Sequence, residues 1–372
     1  MKTTHTAGGH EQDEGVCRGS EGAVPGDHDP GRPLISVVVL TRNRPGKLSR
    51  CVQSLLAQAV DSDFEIIIVD DGSDADAARV GHRLAEGNEP VRYVHQPHRG
   101  IPGARNLGLR SARGAFIAFV ADDYVLQADY LATGHRYLVN HPEAAAVRFR
   151  IMPLKDHFGG RVSHCYYDAS ILYRRELEAL PAREKRGRLH PFLHALTPAS
   201  MTAGVTHSLE ASGAALFRSG VFDVVGGFDE RLQRGEDTEF TKRFRQAGFE
   251  VHIVPTQLVR HDYDRWPADT LRKCLLTGYW RAALTPTTSD SAYSGIGLVA
   301  RKMVGISHAF WIAKLSGGTR RYLAYLPWLL AFETATFMGY MTYLARERLS
   351  GARAESGSAR AAVAEAGRGD ED

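Results

Sequence analysis

Apolar and β-branched residues run almost unbroken through Ile35-Ser36-Val37-Val38-Val39-Leu40, Ile66-Ile67-Ile68-Val69 and Phe116-Ile117-Ala118-Phe119-Val120. Such runs, bounded by turn residues, predict strands buried on both faces of a mostly parallel sheet. Between the first two, Leu48, Cys51, Val52, Leu55 and Leu56 recur at helical spacing and predict an amphipathic helix covering one face of that sheet. Val91-Arg92-Tyr93-Val94 predicts a short strand. A helix over 102–112 presents Ala104, Leu107, Gly108, Ser111 and Ala112, small enough to lie close to the strands. The alternation predicts an α/β fold, a mostly parallel sheet flanked by helices with right-handed crossovers. Beyond Pro267 the pattern turns helical and aromatic and predicts a C-terminal helical extension.

Polar stretches set the expected boundaries. Residues 1–33, rich in Gly, His, Asp and Glu, and residues 349–372 read as disordered tails. No apolar stretch follows Met1, which argues against a cleaved secretory signal. This leaves 34–265 as the main domain and 266–348 as a helical region. Over 151–203 the pattern loosens into a variable region, with His157, His164, His190 and His194 scattered among Arg, Pro and Tyr. Their spacing argues for structural or solvent roles rather than a metal site. The basic group Arg174, Arg175, Arg183, Lys185, Arg186 and Arg188 reads as a solvated face, with an anionic acceptor as the alternative. The chain has 372 residues, 43% hydrophobic and 24% charged, enough for one large domain and an appendage. A formal charge of +3 is too small to argue for nucleic acid. Cys17, Cys51, Cys165 and Cys274 are too dispersed for zinc or a disulfide framework, as expected of reduced thiols in a cytoplasmic protein.

Two of the predicted strands close on paired carboxylates, Asp70-Asp71 and Asp122-Asp123. The carboxyl ends of parallel strands form the ligand crevice. Acidic groups there can accept hydrogen bonds from a ligand's N–H and O–H groups or hold a divalent cation against phosphate oxygens. Acidic surface turns are the plain alternative, weakened because the pattern occurs twice. Glu236 and Asp237 follow Gly235 and open a helix with Phe240, Phe244 and Ala247 on its apolar face, stopped by Gly248. Free N–H groups and the helix dipole favour ionised carboxylates in a first turn, and a general base must be ionised. An acidic first turn that only stabilises its helix is the competing explanation.

The ordered series Thr41-Arg42-Asn43-Arg44, Asp70-Asp71-Gly72-Ser73, Gly103-Ala104-Arg105-Asn106-Leu107-Gly108, Ala121-Asp122-Asp123, Gly226-Gly227-Phe228-Asp229-Glu230 and Arg234-Gly235-Glu236-Asp237 resembles a family 2, GT-A fold inverting glycosyltransferase over about 34–263. One departure is Ala121, where many members begin an Asp-x-Asp. The resemblance implies a GT-A type sheet, transfer of a sugar from a nucleoside-diphosphate sugar, UDP type favoured, and Mg²⁺ or Mn²⁺. It implies that Asp71 meets a uracil-type base, with Thr41, Arg42 and Asn43 as the pocket wall. Asp123 becomes the metal ligand and Asp122 a contact to ribose or to metal-bound water. Asp237 becomes the general base and Glu236 an acceptor-binding or orienting group. His261 is a secondary candidate near metal or diphosphate, with a core or surface role equally open. Arg105 either reaches phosphate or serves helix packing.

A carbohydrate or lipid-linked acceptor, in glycan, cell-surface polysaccharide or glycolipid synthesis, completes that expectation. A noncatalytic carbohydrate-binding or scaffold protein on a degenerated transferase fold is the rival, and a scaffold has no chemical need for Asp71, Asp123 and Asp237 together. Residues 322–344 match the roughly 20 needed to span a bilayer, yet include Pro327 and Glu333. Interfacial helix, buried core helix and true span all remain open there. Membrane-surface contact is the preferred reading, helped by Arg320, Arg321, Arg346 and Arg348. It places the chain in the cytoplasm, peripheral on or anchored to the inner face of the plasma membrane.

Overall fold

The apolar runs form β1 (Ile35–Thr41), β2 (Phe64–Asp71) and β4 (Phe116–Ala121), joined edge to edge in parallel with β3 (Val91–Gln96). A computed structural model describes residues 33–164, 166, 213–232, 234–284 and 319–366. Helices α1 (Pro45–Leu56), α2 (Ala75–Glu86) and α3 (Gly100–Ser111) connect the four strands, and Pro45 starts α1 where a missing N–H costs nothing. Ile35, Val37 and Val39 pack with Leu48, Cys51, Val52 and Leu55 of α1 on one face. On the other, Val38, Ile67 and Phe119 pack with Ala104 of α3. A Cβ at Gly108 would sit 2.2 Å from Val38 Cγ1, so the small residues of α3 do set how closely it lies on the sheet.

Beyond β4 the sheet becomes mixed. Further elements are β5 (Tyr124–Leu126), α4 (Tyr130–Asn140), β6 (Ala144–Pro153), β7 (Ala214–Arg218), α5 (Val221–Val225), α6 (Glu236–Gln246) and β8 (Glu250–His261). The eight strands run in the order β3-β2-β1-β4-β7-β6-β8-β5. β7 is antiparallel to β4 and β6, β8 is parallel to β6, and β5 is antiparallel to β8. Register aligns Thr41 with Asp70 and Leu40 with Ala121, so the ends of β1, β2 and β4 reach one edge together. Pairing of Tyr124 with His261 brings the end of β8 to the same place.

The chain continues in α7 (Pro267–Leu284) and α8 (Thr319–Ala366). The two cross in close contact. A Cβ on Gly278 would lie 1.8 Å from the Thr336 carbonyl oxygen, and one on Gly339 would lie 1.9 Å from that of Leu275. Leu329, Phe332 and Ala335 are buried with Cys274 and Val162, so one face of the aromatic segment is core. Leu323, Leu330, Phe337, Met338 and Met341 of the same helix are exposed. Among the described residues, no helix is long and apolar enough to cross a membrane. Cys51 and Cys274 are buried, whereas Cys17, Cys165, His190, His194 and the basic group from Arg174 to Arg188 lie outside the described residues.

Candidate active site

The ends of β2 and β4 deliver paired carboxylates, and each is held differently. Asp70 accepts from Ser73 N at 2.8 Å and Tyr93 Oη at 2.6 Å, which orders the turn after β2. Asp71, 6% exposed, takes four donors: Gln96 Nε2 (2.7 Å), Arg99 N (2.8 Å), Gly100 N (2.9 Å) and His98 Nδ1 (2.6 Å). That fills the roughly four lone-pair sites of a carboxylate. His98 Nε2 lies 2.9 Å from Arg42 Nη1, so with Nδ1–H donating to Asp71 the imidazole completes a relay from Arg42 through His98 to Asp71. Asn43 sits at φ 54°, its N–H donating to Ser73 Oγ and its Oδ1 accepting from Asp74 N. It ties the β1 and β2 loops together, and its Oδ1 is engaged there.

The second pair faces a cluster of cations. Asp122 accepts from Thr41 Oγ1 at 2.9 Å, and Arg44 Nη1 bridges Asp122 Oδ1 (3.2 Å) and Asp123 Oδ2 (3.1 Å). Lys47 Nζ at 3.7 Å and His261 Nε2 at 3.5 Å also approach Asp123 Oδ2. Burial, with Asp123 alongside, pushes the Asp122 carboxyl up to about 6 against the pull of Arg44 and Thr41. Burial also opposes ionisation of Asp123, but His261, Arg44 and Lys47 outweigh it and hold that carboxyl well below the usual range. Two carboxylates and an imidazole thus converge where a cation is already favoured, with Arg44 in that place. Among the described residues, no group of three or more His, Cys, Asp or Glu is placed so that it could hold a metal ion. A hard ion at this place would have to displace Arg44 and draw most of its ligands from outside the chain, such as diphosphate oxygens and water.

The third carboxylate site is the start of α6. Gly235 adopts φ 84°, a left-handed conformation that favours glycine, and turns the chain into the helix at Glu236. Phe240 and Phe244 anchor α6 among Phe217, Phe222 and Phe228. Asn106 of α3 fixes the preceding loop, accepting from Phe228 N and donating to Phe228 O, both at 2.8 Å. Asp237 is half-buried and accepts from Thr238 N at 2.8 Å. Glu236 is buried, with Arg105 Nη1 3.4 Å from its Oε1. Arg105 therefore faces inward, to Glu236.

Residues 36–192 match the model of glycosyl transferase family 2. Over those residues the chain is similar to the family 2 glycosyltransferases. The chain is 39% identical over 97 residues to the uncharacterized glycosyltransferase EpsJ of Bacillus subtilis, covering 26% of this chain and 28% of that protein. It is 28% identical over 239 residues to the pre-mycofactocin glycosyltransferase of Mycobacterium tuberculosis, covering 63% and 44%. It thus spans less than half the length of these curated relatives. The mannosyltransferase PcManGT of Pyrobaculum calidifontis, solved with GDP-Man and Mn²⁺, shares the GT-A fold: TM-score 0.56 at 18% identity, over 85% of this chain and 88% of that one.

The fold brings Thr41, Asp122, Asp123 and His261 into one cluster, and Arg42 and Asp71 into the relay beside it. Arg105 and Glu236 pair with each other, and Asp237 adjoins them. Three features of the domain are absent from the sequence reading. Arg44 at the N-cap of α1 and Lys47 and Arg50 within it recur every third residue, a signal the sequence does contain. Arg50 and Lys155 hold Asp262, the latter at 3.0 Å. His98 has no sequence signal, because only the close approach of its loop to β2 gives it a partner.

Proposed function

We propose that this protein is a metal-dependent, inverting glycosyltransferase that moves a sugar from a UDP-type nucleotide sugar to a hydroxyl of a carbohydrate or lipid-linked acceptor. The site residues keep the roles the family resemblance implies, within a transferase domain over 34–265. The observation that carries this reading is the convergence of Asp122, Asp123 and His261 beside the Asp71 relay at one sheet edge, with the Arg105–Glu236 pair joining α3 to the helix that bears Asp237.

Asp123 and His261 would hold Mg²⁺ or Mn²⁺, whose charge stabilises the negative charge growing on a leaving diphosphate. Asp122, oriented by Thr41, faces the ribose or metal-bound water. Asp71 reaches the base by exchanging one of its four donors, and half-exposed His98 is the one able to turn away. Asp237 takes the proton of the acceptor hydroxyl as its oxygen bonds to the anomeric carbon. The bond to the diphosphate breaks on the opposite face, which inverts the centre.

Within the C-terminal region 266–348, the exposed face of α8 meets the inner surface of the plasma membrane, where a lipid-linked acceptor for glycan, cell-surface polysaccharide or glycolipid synthesis is found. A hydrolysis screen of UDP- and GDP-sugars with Mn²⁺ tests the central claim, since water can stand in for the acceptor. Slow, metal-dependent release of UDP from one donor is expected. Failure to bind or hydrolyse any nucleotide sugar would instead favour a scaffold.

A further inference from the structure

Arg105 and Glu236 are both buried, 7% and 5% exposed. The Arg105 guanidinium lies 4.9 Å from the centroid of the Phe228 ring and 5.9 Å from that of Phe119. Among the described residues its Nε and Nη1 have no hydrogen-bond partner, and its nearest counter-charge is Glu236 Oε1 at 3.4 Å. Buried ion pairs repay their desolvation poorly, and an apolar pair of similar volume is often at least as stable. Stability is therefore a weak reason for this charge to be here.

The neighbouring carboxylate supplies a stronger one. Glu236 faces Arg105 from α3 and, along its own segment, Asp237 and Arg234. Burial pushes its carboxyl up; Asp237 adds to that, while Arg105 and Arg234 oppose it. A protonated Glu236 no longer attracts Arg105, and that releases the first turn of α6, which also carries Asp237.

We propose that Arg105 is a positioning residue for sugar transfer: by holding Glu236 as a carboxylate in a fixed direction, it keeps the first turn of α6 placed so that Asp237 can take the acceptor's proton. This rests on Asp237 as the base, and it replaces contact between Arg105 and the donor phosphate.

The test uses the full chain, water as acceptor and the donor found in the screen, with kcat followed against pH and UDP affinity with Mn²⁺ followed by calorimetry. Arg105→Met should lower kcat by roughly tenfold or more, move the acid limb of the profile to higher pH, and leave UDP affinity within about twofold. Adding Glu236→Gln to Arg105→Met should recover much of the lost kcat, because the amide needs no counter-charge and takes no proton. Arg105→Lys should keep the acid limb near its wild-type position, and it carries the test should the Met variant fail to fold. A raised donor KM at unchanged kcat, in either single variant, would make Arg105 a phosphate ligand and overturn the proposal. So would a double variant no better than Arg105→Met with an unmoved acid limb. Full kcat in Asp237→Asn would instead remove the base assignment beneath it.

Discussion

The contact with most chemical consequence at the residue scale is Arg44 lying across Asp122 and Asp123. An internal guanidinium competes with any external cation for the same oxygens. Arg44→Ala should therefore bind Mn²⁺ alone more tightly than the wild type, by roughly tenfold, the equivalent of about 1.4 kcal/mol. Titration calorimetry without nucleotide reads this, and unchanged or weaker affinity would show that Arg44 does not compete. Asp123→Ala should lose Mn²⁺-dependent UDP binding, because diphosphate would then face the remaining carboxylate without a cation between them. Metal-dependent affinity that survives this change would end the metal assignment. Asp237→Asn keeps shape and loses basicity, so turnover should fall by roughly 10²-fold or more at unchanged donor affinity. Near-normal transfer would move the base elsewhere, with Glu236 next in line.

Elements are held in register by a buried carboxylate at the opposite end of the sheet. Glu65 of β2 accepts from Ser36 Oγ (2.7 Å), Arg92 Nη1 (2.6 Å), Arg113 N (3.0 Å) and Arg113 Nη2 (2.9 Å). It thereby joins β1, β2, β3 and the α3–β4 turn. Burial raises its carboxyl, but the bonds from Ser36, Arg113 and Arg92 win and hold it below the ordinary Glu value. A depressed folded value means stability that is present above the unfolded pKa of about 4.3 and is lost as pH falls through the folded value. Glu65→Gln should cost about 1–3 kcal/mol at neutral pH and flatten the loss of stability on acidification. Urea titrations at a series of pH values measure both. An acid dependence as steep as that of the wild type would assign it to other carboxylates.

At the scale of the whole molecule, α8 divides its apolar residues between two surroundings. Gly339 and Thr336 pack against α7, while Leu323, Leu330, Phe337, Met338 and Met341 face outward. No charged residue of α8 is exposed between Leu323 and Ala345, and Arg346 is exposed just beyond. An uncharged apolar strip flanked by basic residues suits the surface of an anionic bilayer. The full chain should float with liposomes containing anionic lipid and less well with neutral ones, and Leu330→Glu with Met338→Glu should abolish flotation without unfolding the protein. A full chain that stays in the soluble fraction with both kinds of liposome would refute the membrane contact.

The strands β1 to β4, helices α1 and α3 and the acidic strand ends were legible because they follow from local periodicity and from chemistry confined to a few adjacent residues, whereas α2 was not among the predicted elements. Strands β5 to β8 were not. Their pairings join segments distant in the chain, such as Tyr124 with His261, and depend on which edge the growing sheet leaves open. The same holds within the site. A sequence can place Asp71 and Asp122 at strand ends, but only tertiary approach surrounds Asp71 with four donors, lays Arg44 on the acidic pair and turns Arg105 inward to Glu236. The aromatic segment makes the same point. Its composition allowed core or surface, and packing against α7 made one face core while leaving the other exposed, because close helix contact at Gly278 and Gly339 covers only one side.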